Sequence, residues 1–271
     1  MDLYPLLLPA LLGLWLMRGN LRDATGLSAE DTEAATGGLF LFVMAFMVIA
    51  QGSLMQLLWG DSRVGFDGVE ILAVVGLERL LGLQALTNVG AAAVLVLMCR
   101  AFLGEVARPL GLRGLPGPRA WLLGLGTWLA FRPVLLVVGW LNLELLTHLG
   151  VEDGMQDILA AFIADGGAQG SAVVWLSAGL VIPVCEEILF RGALYGALRR
   201  VTPAPVAIAI SAIVFGLLHD APALLPVAAL GAVMAWLYER TGSLAAPIAL
   251  HVLHNTLQLA IVINFSPDAV G

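Results

Sequence analysis

Long apolar runs broken by short polar stretches set the pattern of this chain. A helix that crosses a bilayer needs roughly 20 apolar residues, with a range of about 17–25. Eight segments approach or meet that length: 3–17, 39–59, 80–102, 121–146, 171–199, 205–218, 223–238 and 244–263. The sixth and seventh are short and separated only by His219-Asp220-Ala221-Pro222, so tilted, broken or re-entrant helices are expected there. The pattern predicts an all-α fold, a polytopic integral membrane bundle of about eight helices. The first segment lacks a basic lead-in and a clear cleavage pattern, and is expected to be a retained span.

Arginine placement supports this layout. The loop after the third segment carries Arg100, Arg108, Arg113 and Arg119 against a single Glu105, whereas 147–170 carries Glu152, Asp153, Asp157 and Asp165 and no Arg. The positive-inside rule then puts both termini on the non-cytoplasmic side. The Pro- and Gly-rich basic loop divides the chain into residues 1–119, about three membrane helices plus that cytoplasmic loop, and residues 120–271, which carry the chemistry.

Composition agrees with the pattern and removes one class of partner. Hydrophobic residues make up 60% of the 271 and charged residues 12%, half the share of about one-quarter found in soluble domains. The formal net charge of −7 offers no basic surface for nucleic acid. All 13 basic residues are Arg. Cys99 and Cys185 lie in apolar runs, too few for a disulfide framework and without metal spacing.

Against this background the stretch Val184-Cys185-Glu186-Glu187-Ile188-Leu189-Phe190-Arg191-Gly192 stands out. Charge at bilayer depth costs several kcal/mol, which calls for a partner or a task. Residues four apart share a helix face, so Glu187 and Arg191 are expected to pair, which leaves Glu186 free for chemistry. Downstream, His219 follows Phe215 at spacing four, and His251 and Asn255 share a face, with His254 turned about 60° away. Glu186, Glu187, Arg191, His219, His251 and Asn255 would each be costly facing lipid, and a shared interior cavity spares them all. Such a set can activate water: a Glu aided by a His takes the proton, while another His and an Asn amide bind the oxyanion. His219 and His251 with a carboxylate such as Glu186 could instead hold zinc, although no His-Glu-x-x-His pattern supports this. Arg132, beside Pro133 in the fourth segment, is expected to find an acidic partner inside the bundle; Glu144 belongs to the same segment. Cys185 is expected to be an inert, buried small hydrophobe.

Glu186-Glu187-x-x-x-Arg191, Phe215-x-x-x-His219 and His251-x-x-x-Asn255 resemble the three motifs of the CAAX prenyl endopeptidase and bacteriocin-processing (CPBP, or Abi) family of intramembrane proteases. The resemblance covers about residues 171–260. It implies a peptidase in which Glu186 and His219 activate water, His251 and Asn255 stabilise the oxyanion, and Glu187 and Arg191 brace the site. It implies a substrate that is a membrane-associated protein or peptide, lipidated or carrying a C-terminal sorting segment, and a location in the bacterial inner (cytoplasmic) membrane. Family members have been described both as metalloproteases and as glutamic-type proteases; glutamic chemistry without a metal is the expectation, with zinc as the alternative. The competing expectation from another class is a non-catalytic membrane protein, namely a transporter, bacteriocin-immunity factor or scaffold, that uses the same polar cluster as a relay or support.

Overall fold

The computed structural model describes residues 77–103, 117–150, 172–219 and 221–265, and within them regular structure is helical throughout. Six helices follow in order: α1 (Leu77–Leu103), α2 (Gly117–His148), α3 (Ala172–Val201), α4 (Ala204–Leu217), α5 (Ala221–Thr241) and α6 (Ala245–Phe265). They coincide with the third to eighth expected segments. The first two segments, and the loops 104–116 and 151–171 with their contrasting charge, lie outside the described residues.

Three of the described helices, α2, α3 and α5, are long and apolar enough to cross a membrane. Leu122, Leu129, Leu136 and Trp140 on α2 are all exposed, and only 11% of that helix's most apolar window is buried, against 50% for α3. An apolar face of this extent is a lipid-contacting face, and the chain is an integral membrane protein. α3 is the central helix. α4, expected to be short, has 14 residues, about 21 Å of helix, less than the ~30 Å hydrocarbon thickness.

One core joins all six helices: Leu95 of α1, Leu135 of α2, Leu189 of α3, Phe215 of α4, Met234 of α5 and Leu250 of α6. Between helices in lipid, close approach rather than apolar burial drives association, so small residues mark the tightest contacts. A Cβ on Gly216 would sit 2.7 Å from the Leu224 carbonyl oxygen and 2.8 Å from Ala228 Cβ, which fixes α4 against α5. A Cβ on Gly124 would lie 2.8 Å from the Leu250 backbone nitrogen, which fixes α2 against α6.

Helix ends follow local chemistry. Thr202 precedes Pro203 and is extended (φ −136°, ψ 156°), because a following proline disfavours the helical region; this separates α3 from α4. Gly242 closes α5 with φ +61°, a conformation that costs glycine little. The far end of α3 is tied to α5 by the buried Tyr195 hydroxyl, which donates to Glu239 Oε2 at 2.6 Å, and by Arg199 Nε, 2.9 Å from Glu239 Oε1.

α3 is not a regular α-helix. Two stretches, Ser177–Val181 and Ile188–Tyr195, adopt the wider π form, and they flank the six α-helical residues Ile182–Glu187. Single π turns in helices concentrate at functional sites. The first stretch has a visible cause. Ile182 N–H bonds to the Ser177 carbonyl, five residues back. The next donor in that register is residue 183, a proline with no N–H to give. The Ala178 carbonyl is thereby orphaned, and Asn255 Nδ2 of α6 donates to it at 3.1 Å. Thr256 Oγ1 reaches the neighbouring Gly179 carbonyl at 3.4 Å.

Candidate active site

The α-helical turn Ile182–Glu187 of α3 carries Glu186 and Glu187, and the wide stretch that follows it carries Arg191. Glu187 and Arg191 are fully buried and paired as their spacing requires, with Arg191 Nη1 donating to Glu187 Oε1 at 2.8 Å. Arg191 Nη2 donates to the Gly231 carbonyl of α5 at 3.0 Å. Its guanidinium carbon lies 4.6 Å from the Phe215 ring centroid, a cation–π contact that gains strength where water is absent. A Cβ on Gly231 would meet Phe215 Cδ1 at 3.1 Å and Arg191 Nη2 at 3.4 Å. The glycine therefore lets the guanidinium, the ring and the α5 backbone pack together.

Glu187 also holds a catalytic candidate. His251 Nδ1 lies 2.8 Å from the same Glu187 Oε1 that Arg191 binds. An ionised carboxylate only accepts, so the imidazole donates its Nδ1–H, and the opposite nitrogen is aimed by that bond. This nitrogen, His251 Nε2, faces Glu186 Oε2 at 3.7 Å. The gap is too long for a direct hydrogen bond and is the range at which a bridging water joins two polar groups. Glu186 keeps 14% of its side chain exposed while His251 keeps 4%. The sequence division therefore holds in the geometry: Glu187 is the inward, braced carboxylate, and Glu186 is the accessible one.

His219 and His251 both set their rings edge-on to Phe215, with centroid separations of 5.1 and 5.8 Å. His219 Nδ1 lies 2.9 Å from the Phe215 carbonyl; a carbonyl only accepts, so Nδ1 carries the proton and Nε2 presents its lone pair. Both imidazoles are within electrostatic reach of Glu186. Phe215 is thus the platform for three polar groups, a role that its spacing from His219 marks only faintly in the sequence. Asn255 has one amide N–H on the Ala178 carbonyl, which leaves its second N–H uncommitted by that bond. Cys185 is buried beside Glu186.

A second polar row links α2 to α6. Trp128 Nε1 donates to His254 Nδ1 at 3.2 Å; an indole only donates, so His254 is held as its Nε2–H tautomer. One turn further on, Arg132 Nη2 donates to Gln258 Oε1 at 2.9 Å, and its guanidinium lies 5.5 Å from the Trp128 ring centroid. Among the described residues Arg132 has a neutral amide and an aromatic face beside it rather than the acidic partner expected. Glu144 pairs instead with His148 at 3.4 Å on the exposed last turn of α2, so His148 belongs to the helix rather than to the acidic loop.

Zinc would need His219, His251 and Glu186 to converge on one point. Among the described residues no three His, Cys, Asp or Glu side chains are placed to hold a metal ion.

Residues 168–257 match the family described as type II CAAX prenyl endopeptidase Rce1-like. The chain is 36% identical over 102 residues to the "Putative membrane peptidase YdiL" of Bacillus subtilis (strain 168), covering 36% of this chain and 42% of that protein. It is 26% identical over 133 residues to the UPF0177 protein YxdF of Lactococcus lactis subsp. lactis (strain IL1403), covering 48% of this chain and 70% of that protein. No solved structure matches at a significant level. The family match begins just before α3 and ends after Thr256, so it contains every residue of the Glu186 cluster. The match to the Rce1-like family thus falls on the third of this integral membrane protein that holds the Glu186 cluster.

Proposed function

We propose that the chain is a multi-pass intramembrane endopeptidase of the bacterial cytoplasmic membrane that hydrolyses a peptide bond of a membrane-associated protein or peptide. The observation that carries this is the line Arg191–Glu187–His251–Glu186, in which a buried ion pair fixes an imidazole whose free nitrogen faces an accessible carboxylate. Glu186, assisted by the lone pair on His219 Nε2, takes a proton from water. The resulting hydroxide attacks the scissile carbonyl carbon. His251, with Nδ1–H on Glu187, presents Nε2–H to the oxyanion when doubly protonated, and the second N–H of Asn255 supplements it. Glu186 then returns its proton to the amide nitrogen, the C–N bond breaks, and a carboxylic acid and an amine leave, the acid passing its proton on to the amine.

This chemistry is drawn with protein groups alone, as in a glutamic-type peptidase. Lipid surrounds the site, and nucleic acid has no part in it. The test compares membrane proteomes of cells carrying wild-type protein and Glu186→Gln. Uncleaved substrates accumulate with the variant if the assignment is right, and identical proteomes with an inserted, folded variant would overturn it.

A further inference from the structure

The Trp128–Arg132 face is left over once the hydrolytic site is accounted for. Arg132 lies 14 residues from one end of the candidate span Pro118–His148 and 16 from the other, and is therefore central in it. It is partly exposed, and no carboxylate pairs with it among the described residues. A cation at that depth needs a counter-charge, and lipid headgroup phosphates lie at the surface, roughly 15 Å from the midplane of a ~30 Å core.

Its surroundings are nevertheless built. Gln258 Oε1 takes one Nη2 hydrogen, the Trp128 ring flanks the guanidinium, and His254 anchors Trp128 by its indole N–H. The contacts described use one of the five N–H groups that a guanidinium offers in a planar fork suited to carboxylates. The site is also near the chemistry. Gln258 is seven residues beyond His251 on α6, about 10 Å along the helix, and His254 lies between them.

We propose that Arg132, set by Trp128 and Gln258, is a carboxylate-binding subsite that positions substrate, its ligand a peptide carboxylate lying about 10 Å along α6 from the reacting centre. This rests on the peptidase reading of the Glu186 site. The carboxylate can be a substrate's C-terminus or an acidic side chain; the recognition chemistry is the same. Three residues of extended peptide cover about this distance at ~3.3 Å each. The subsite determines specificity through binding and takes no part in bond breaking.

The test uses the full chain in detergent micelles and thermal unfolding as the readout. The probes are N-dodecanoyl-leucine, its amide, and N-dodecanoyl-glutamate diamide, which carries no carboxylate at either position, beside N-dodecanoyl-glutamic acid α-amide, which keeps only the side-chain carboxylate. Carboxylate probes should raise the unfolding midpoint of the wild type by ~4 °C or more at saturation, beyond their matched amides. Which of the two carboxylate forms shifts it more identifies the source. Arg132→Gln and Gln258→Leu should abolish the difference, and Arg132→Lys should retain part of it, because an ammonium keeps the charge but not the fork. Glu186→Gln should keep the full difference, since binding does not require hydrolysis. Equal shifts from acids and amides in the wild type, or an undiminished acid preference in both Arg132→Gln and Gln258→Leu, would overturn the subsite and assign the counter-charge of Arg132 to the chain itself. Failure of the peptidase reading shows separately, as substrate processing that survives Glu186→Gln.

Discussion

His251 and Glu187 stand 64 positions apart in the chain, yet a 2.8 Å hydrogen bond joins imidazole Nδ1 to carboxylate Oε1, and the same oxygen accepts from Arg191 at 2.8 Å. One oxygen thus couples the charge balance of α3 to the aim of a ring on α6. Glu187 Oε2 and Arg191 Nε are buried without hydrogen-bond partners among the described residues, so the network has little to spare.

Replacing Glu187 should therefore damage both stability and catalysis. Glu187→Ala leaves Arg191 as an uncompensated buried cation, at a cost of about 3–5 kcal/mol, and frees the His251 ring. Glu187→Gln keeps a hydrogen-bond acceptor and should be less destabilising than Glu187→Ala. Chemical unfolding in micelles, read beside cleavage of an accumulated substrate, checks both parts. Glu187→Ala protein of undiminished stability would mean that Arg191 is neutralised elsewhere.

The Asn255 bond to the Ala178 carbonyl predicts a coupling with Pro183. Asn255→Ala should destabilise by about 1 kcal/mol by stranding a partly buried carbonyl. Pro183→Ala supplies an N–H that can reach that carbonyl from within α3, so Asn255→Ala should cost less in its presence. A double-mutant cycle on unfolding free energy measures this. Strict additivity would show that the proline and the asparagine do not share the Ala178 carbonyl.

Gly216→Ala places a Cβ 2.7 Å from a backbone oxygen and 2.8 Å from Ala228 Cβ. Neither neighbour is a flexible side-chain tip, so α4 must move away from α5, at a cost of about 1–3 kcal/mol. The adjacent Phe215 carries the rings of His219 and His251, so turnover should fall along with stability. Restoring space with Ala228→Gly should recover part of both, as measured by unfolding and cleavage of the double variant.

Much of this site was legible because it depends on helical periodicity. The pairing of Glu187 with Arg191, the isolation of Glu186 and the divergence of His254 from His251 all follow from residue spacing, and the structure has them so. What spacing could not supply are the partners brought in from other helices. Arg132 finds Gln258, 126 positions away, where an acid was expected. Asn255, expected at the oxyanion, also closes a gap left by a proline 72 positions earlier. The π turns of α3 are equally hidden, since the donor that satisfies the Ala178 carbonyl comes from α6. Glu239, which ties Tyr195 and Arg199 to α5, carries no local signature at all.

Chelation is expected to leave the protein's fold and its proposed activity intact. Extended dialysis of purified protein against a strong chelator should change neither cleavage rate nor unfolding midpoint, because the proposed steps use only protein groups. Loss of activity together with stoichiometric zinc in the untreated protein would reassign Glu186, His219 and His251 as ligands.

The proposed mechanism turns on Glu186 moving the proton of the attacking water. The most direct measurement is single-turnover cleavage of a substrate identified by its accumulation in Glu186→Gln cells, with wild-type and Glu186→Gln proteins compared in the same micelles. The Glu186→Gln rate should be lowered about 10²–10⁴-fold with substrate binding and unfolding midpoint essentially retained. Cleavage by Glu186→Gln at the wild-type rate would contradict it.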